Sequence, residues 1–304
     1  MNRRILITGI NGFVGQSIVN QLKLHNLKFY GTTSNYKLVN QETVFYLDLA
    51  DQKSVFNVLN LLKPQVIIHT AALLKEQDPL RDISVNLLGS VNLVVEAAKV
   101  GLEKFIFSSS GGAIYGEVPD PQLAHPSWAV RPISPYATSK LAFEQYLHTF
   151  SLTYGFQYNI LRYSNIIGKN QPKKGEGLLL SILLEKAKAN QPLTIFGREV
   201  LGDEGCFRDY IDVDNVAMAN LLCVQNVITE KTINISSAQA VPTLRLAELI
   251  LQNVESKSKI EFLEPRSSEV KRSVLDNSEI RKYMQILEFD SIMNKVFDFE
   301  RRNS

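Results

Sequence analysis

Tyr136 and Lys140 stand four residues apart in the stretch SPYATSK, residues 134–140. On a helix that spacing puts both side chains on one face, so a phenol and an ammonium can turn toward one pocket. A tyrosine alone is a poor base at neutral pH. A positive charge about 4 Å away, at an effective dielectric near 20, favours the phenolate by roughly 4 kcal/mol and brings a hydroxyl with an ordinary pKa near 10 down to about 7. Such a pair can carry a proton to and from an alcohol or a carbonyl. The same spacing also describes a surface tyrosine beside a solvated lysine, so the rest of the chain has to decide.

A second constellation lies at the start. In ILITGINGFVGQSIVNQL, Gly9, Gly12 and Gly15 fall between an apolar run and an amphipathic stretch. In that setting glycines let backbone amides approach a pyrophosphate at a helix N-terminus. The spacing is GxxGxxG rather than GxGxxG, and a tight turn alone would also use it. An acidic residue commonly ends the second strand and holds the adenosine ribose. Here KFYGTTSNY offers Thr32, Thr33, Ser34 and Asn35. With neither a carboxylate to repel a 2′-phosphate nor an arginine to attract one, the choice between NAD and NADP stays open. Asp48-Leu49 could bond and pack against an adenine, or Asp48 could cap the next helix.

The elements that must position these groups follow from periodicity. Short apolar runs rich in β-branched residues at 4–8, 28–33, 43–48, 66–70, 104–108 and 158–163 predict strands. Amphipathic stretches at 12–25, 54–62, 84–100 and 136–154 predict helices, with Pro64 ending the second. Alternation of the two predicts an α/β fold, a parallel sheet covered on both faces. After residue 162 the rhythm loosens around GKNQPKKGEG, then a helix near 178–190 opens a smaller second part.

The chain has 304 residues and net charge +2 without a basic tract, which argues against a nucleic-acid partner. Its two cysteines, Cys206 and Cys223, lack metal-ligand spacing, and His25, His125 and His148 lack matching ligands, so no metal site is expected. There is no run of eighteen apolar residues, and the apolar stretch at the start is too brief for a signal peptide; a cytoplasmic protein without membrane contact is expected.

Taken in order, TGINGFVG, HTAA (residues 69–72), VNLLGSVNL (85–93), SSSGGAIYG (108–116) and SPYATSK resemble the extended short-chain dehydrogenase/reductase family, in its nucleotide-sugar epimerase/dehydratase branch. The resemblance covers almost the whole chain. It implies a Rossmann doubly wound parallel sheet, residues 1–165, to which a segment near 206–226 returns, and a smaller C-terminal substrate-binding domain made mainly of 166–304. It implies Tyr136 as catalytic acid/base and Lys140 as the group that lowers its pKa and holds the nicotinamide ribose. It places Gly9, Asn11, Gly12, Phe13, Val14, Gly15, Thr32, Ser34, Asp48, Leu49, Ala71, Ala72 and Asn86 around the dinucleotide. A strand-end hydroxyl steadies the reacting oxygen in this family: Ser110 is preferred because an oxygen is needed there, with Ser109 second. His69 reads as core packing beneath the cofactor, and Trp128 as either a pocket wall or a loop anchor.

Dehydratases and decarboxylases of the family carry acidic residues in the loop where this chain has Gly111-Gly112, and elimination of water needs such a proton carrier. That leaves epimerisation or ketone reduction. Asn165, in LRYSNIIGKNQ, and Arg266, in EPRSSEV, match residues that hold the sugar nucleotide's diphosphate in this family, and Arg208, in CFRDYIDVDNVAMA, matches a phosphate or ribose ligand. Asp209 would fix local backbone. NQPKKGEGLLLSI, SSSGGAIYG and RSVLDNSEIRK look most like UDP-glucose 4-epimerases, whereas GTTSN and RSSEV look more like GDP-4-keto-6-deoxymannose reductases that use NADPH. The expectation is therefore a nucleotide-sugar 4-epimerase with bound NAD and a UDP-hexose as substrate, with an NADPH-dependent 4-ketoreductase as the alternative and an idle NAD(P)-binding protein as a third reading. Helices 84–100 and 136–154 are apolar on more than one side, and the resemblance implies that they pair across a two-fold axis into a homodimer.

Overall fold

The computed structural model describes residues 3–74, 78–171, 178–267 and 269–303. Part of the epimerase-like segment, residues 172–177, and Ser268 of RSSEV lie outside them. The predicted alternation is present: β1 (Ile5–Thr8), α1 (Phe13–Leu24), β2 (Phe29–Thr33), β3 (Val44–Tyr46), α2 (Gln52–Leu62) and β4 (Val66–His69) come first. Then α3 (Pro79–Asp82) runs through a π-helical segment, Ile83–Gly89, into α4 (Ser90–Lys99). There follow β5 (Lys104–Ser110), the short α5 (Gly111–Ile114), α6 (Pro135–Tyr154), β6 (Gln157–Tyr163) and β7 (Asn165–Ile167). The remainder is α7 (Leu179–Lys188), β8 (Leu193–Phe196), β9 (Phe207–Arg208), β10 (Tyr210–Asp212), α8 (Val213–Val224), β11 (Thr232–Ile235), β12 (Val241–Pro242), α9 (Thr243–Asn253), β13 (Ile260–Leu263), β14 (Arg272–Ser273) and α10 (Phe289–Arg302).

Among the described residues seven strands form one parallel sheet in the order β11-β6-β5-β4-β1-β2-β3. Alternate side chains feed two cores. Ile5, Ile7, Val66, Ile68 and Ile106 join Ile18 and Leu22 of α1 and Val216 and Ala217 of α8. On the other face Leu6, Ile67, Phe105 and Phe107 meet Val55 and Leu59 of α2, Leu93 and Val94 of α4, and Phe143 and Leu147 of α6. With both faces covered, the strands can be apolar throughout, and each buried Leu, Ile or Phe contributes about 1.5–3 kcal/mol. The strand order reverses between β1 and β4, which opens a crevice beyond their carboxyl ends. Strand β11 pairs with β6 through Thr232–Ile235, and α8 packs on the same sheet, so the chain comes back to this sheet through α8 and β11. A third core gathers Leu180, Leu183, Leu246, Ile250, Ile292 and Val296 from α7, α9 and α10.

Two differences from the expected elements bear on the site. The helix predicted to begin at 84 begins at Pro79, because Asp78 accepts from Leu80 N and proline suits the first helical position. The π turn then brings Gly89 against Leu49, where any Cβ would stand 2.8 Å from the leucine. Asp48 does not cap α2. Asp51 does, accepting from Lys53 N at 2.9 Å, while Asp48 binds Ala50 N.

Candidate active site

Helix α6 starts where its sequence dictates. Ser134 Oγ accepts from Ala137 N, and Pro135 occupies the first turn, so Tyr136 sits at the helix mouth with Lys140 one turn deeper. Both line a cleft of about 300 Å³ together with Gly9, Gly12, Phe13, Val14, Gly15, Ala71, Ala72, Ser109, Ser110 and Asn165. Thr70, Leu74, Ser108, Tyr163, Ser164, Ile166 and Leu178, which sequence reasoning missed, complete the lining among the described residues. The first turn of α1 opens on the cleft, and no side chain caps it. Gly9 holds φ +69°, and a Cβ there would meet the Ala71 backbone at 2.9 Å; a Cβ on Gly15 would stand 2.3 Å from Gly9 O. Close backbone packing with free amides at a helix N-terminus is what a dinucleotide's pyrophosphate fits.

Other expected cofactor residues lie elsewhere. Thr32 is buried at the end of β2 and Ser34 is exposed beyond it; neither they nor Asp48 and Leu49 line the cleft. Asn11 borders a separate groove with Lys23 and Tyr30. The Asn86 side chain is spent on the backbone: it accepts from Leu73 N at 2.8 Å and donates to Leu73 O and to Asp82. Asn86 therefore shapes the loop after β4 rather than facing the cleft.

Electrostatics correct the simplest form of the tyrosine–lysine idea. Lys140 Nζ donates to Ser108 O at 2.9 Å and lies 4.7 Å from the centre of the Phe107 ring and 5.8 Å from that of Tyr136. Close packing pushes the Tyr136 hydroxyl up from its ordinary value; its hydrogen bond with Ser110 works against this, and the charge of Asp82 adds to it. Burial pushes the Lys140 ammonium down to about 8, opposed by Asp82 and Glu144. A lysine at helical spacing is thus not enough to bring the phenol near 7, because desolvation wins.

The two strand-end serines have different partners: Ser109 Oγ donates to Glu144 Oε1 at 2.5 Å, and the Tyr136 hydroxyl pairs with Ser110. Glu144 also takes two bonds from Arg162, at 3.1 and 2.6 Å, and Arg162 reaches Tyr115 Oη and Pro126 O.

His69 is wholly buried beneath the cleft. Ser90 donates to Asn86 O, so its oxygen accepts from His69 Nε2–H, and Nδ1 accepts from Thr8 Oγ at 2.7 Å. Burial pushes this imidazole down to about 3, with Lys140 adding to the effect. The unfolded state binds the proton first, so this contribution to stability is complete above about pH 6.5 and is lost as pH falls toward 3, at up to about 1.4 kcal/mol per pH unit. Denaturant titrations of His69→Gln at several pH values are expected to show a shallower acid slope than the wild type.

A second cavity, about 620 Å³, adjoins the first through Asn165 and is lined by Arg208, Arg266, Glu269, Phe196, Thr194 and Tyr210. Arg208 and Arg266 converge on the Glu269 carboxylate at 3.1 and 4.0 Å, and Arg266 stacks 3.4 Å over the Phe196 ring. The buried Tyr210 hydroxyl has no partner among the described residues. Asn165 Nδ2 donates to Asp209 O, and the Asp209 carboxylate accepts from Ser237, Ala238 and Leu275 backbone N–H, fixing this segment. Trp128 packs in a small cluster with Tyr115 and Leu275. Among the described residues no cluster could hold a metal, and no helix is long and apolar enough to cross a membrane.

Comparison with known proteins agrees with this architecture. The chain is 33% identical over 281 residues to a putative UDP-glucose 4-epimerase of Methanocaldococcus jannaschii, covering 90% of this chain and 89% of that protein. The crystal structure of the Thermus thermophilus UDP-glucose 4-epimerase in complex with NAD superposes with a TM-score of 0.90 at 32% identity, covering 98% of this chain and 99% of that one. A UDP-glucose 4-epimerase of Thermotoga maritima with UDP-glucose gives 0.88 at 28%, covering 99% of each. The model of the NAD dependent epimerase/dehydratase family matches residues 5–236, and with its glycine loop, crevice and Tyr136–Lys140 helix the chain belongs to that family.

Proposed function

We propose that the protein is an NAD-dependent 4-epimerase of a UDP-hexose. The observation that carries this reading is the convergence of Tyr136, Ser110 and Lys140 on one cleft with the uncapped α1 N-terminus, next to a cavity where two arginines meet. The first cleft takes NAD along Gly9, Gly12 and Gly15, with Lys140 toward its ribose. The second takes the UDP moiety, its diphosphate replacing Glu269 between Arg208 and Arg266, with Asn165 on the wall between the cavities.

When bound, NAD supplies a reversible hydride acceptor for carbon 4, and its oxidised form is cationic, which favours the phenolate. Tyr136 takes the proton of the sugar 4-hydroxyl as the C4–H bond breaks, leaving a 4-keto sugar. Ser110 donates to the reacting oxygen. The arginines grip only the diphosphate, so the sugar can turn over and present its other face, and Tyr136 returns the proton. No carboxylate stands between Ser110 and Tyr115 to expel water, so the ketone is not diverted into elimination. Residues 1–165 with α8 and β11 form the cofactor unit, and most of 166–304 the substrate unit. Exposed apolar side chains on α3, the π segment and α6, among them Leu80, Leu88 and Tyr146, support a homodimer.

Heat-denatured, as-purified protein is expected to release stoichiometric NAD, and NMR of UDP-sugar incubations to show inversion at carbon 4. Protein that carries no nucleotide, prefers NADPH and only reduces 4-keto sugars would replace this reading with a ketoreductase.

A further inference from the structure

Asp82 ends α3 and is 1% exposed. Its Oδ1 accepts from Ser139 Oγ at 2.5 Å and its Oδ2 from Asn86 Nδ2 at 2.7 Å. Both donors are neutral, so they orient the carboxylate without cancelling its charge. A carboxylate buried in this way costs several kcal/mol unless a cation lies near. Lys140, next in sequence to Ser139 and 3% exposed, is the buried cation that Asp82 influences.

Among the described residues, the other groups facing Lys140 do not fill that place. Glu144, one turn further along α6, is committed to the two-bond pair with Arg162. His69, from β4, is neutral, and β5 presents the Ser108 carbonyl and the Phe107 ring. Tyr136, on the same face of α6, carries no positive charge in either form. We propose that Asp82 is the buried counter-charge of Lys140 and a positioning residue of the epimerisation, an assignment that rests on the roles of Tyr136 and Lys140 given above.

A buried counter-charge leaves a signature that packing lacks. The Asp82 charge strengthens proton binding by Lys140 and by Tyr136 alike. Neutralising it weakens both, so both limbs of the pH–rate profile move toward acid. In the wild type the alkaline limb is expected near pH 8, the value to which burial lowers the Lys140 ammonium.

The test compares kcat against pH for wild type, Asp82→Asn, Asp82→Ser and Asp82→Glu. The serine variant avoids setting an amide against the Asn86 donor and serves if the asparagine variant does not fold. Both uncharged variants are expected to shift the alkaline limb by about one pH unit toward acid, a roughly tenfold relative loss above pH 9, with the acid limb moving the same way. Asp82→Glu, which keeps the charge, is expected to return the limbs to their wild-type positions. Limbs that stay in place while turnover drops equally at every pH would overturn the proposal. The Lys140 ε-methylene NMR resonance, assigned by its absence from Lys140→Met, is titrated in parallel. It is expected to move acid-ward in the uncharged variants whatever reaction the protein performs, and an unmoved titration would overturn the proposal even in a protein that epimerises nothing.

Discussion

Replacing Tyr136 by Phe is expected to lower kcat about 10³-fold, within the 10²–10⁴ range for loss of a positioned proton carrier, with KM nearly unchanged. The substitution keeps the aromatic ring at the mouth of α6 and removes only the oxygen that bonds Ser110. Its cost to stability is therefore about 1 kcal/mol, the net worth of one hydrogen bond. Glycine-loop packing and the α1 N-terminus are untouched, so the released NAD per chain is expected to equal that of the wild type. Turnover within about threefold of the wild type would remove Tyr136 from the chemistry, since a lost acid/base cannot cost so little.

The largest expected effect on stability comes from the pair behind the site. Glu144 and Arg162 are both buried, joined by two hydrogen bonds, and tie α6 to β6 while Ser109 ties the same carboxylate to β5. Glu144→Leu leaves the guanidinium buried and unpaired, and is expected to lower the free energy of unfolding by about 3–5 kcal/mol. Arg162 also reaches the carbonyl of Pro126, two residues from Trp128, so the fluorescence of this single tryptophan follows the transition. Pairing the substitution with Arg162→Met removes the orphaned charge and is expected to recover most of the loss. A single-variant cost below about 1 kcal/mol would show that water or another group compensates the arginine.

What the sequence revealed was what local spacing controls. The SPY start of α6 specifies a cap, a first-turn proline and the phenol in consecutive residues, so Tyr136 and Lys140 could be placed before any fold was known. The glycines at 9, 12 and 15 were equally readable, since each answers to a backbone contact within a few residues or with the neighbouring strand. Strand alternation distinguishes the two serines as well: successive side chains of β5 face opposite sides, so Ser109 points away from Ser110. Long-range facts were not legible. Nothing near residue 82 announces that its carboxylate meets Ser139 across two helices, and nothing near 86 announces that its amide is consumed by Leu73. The electrostatic expectation missed for the same reason. It counted the lysine's charge and not the burial that the fold imposes on the hydroxyl.

The central claim is that carbon 4 loses and regains the same hydrogen within one site, with Tyr136 moving only the proton. Purified protein given UDP-glucose deuterated at carbon 4 tests it most directly. The account predicts UDP-galactose that retains deuterium at carbon 4 and takes none from solvent there. Product carrying solvent hydrogen at that carbon, or no product from protein that holds its NAD, would contradict it.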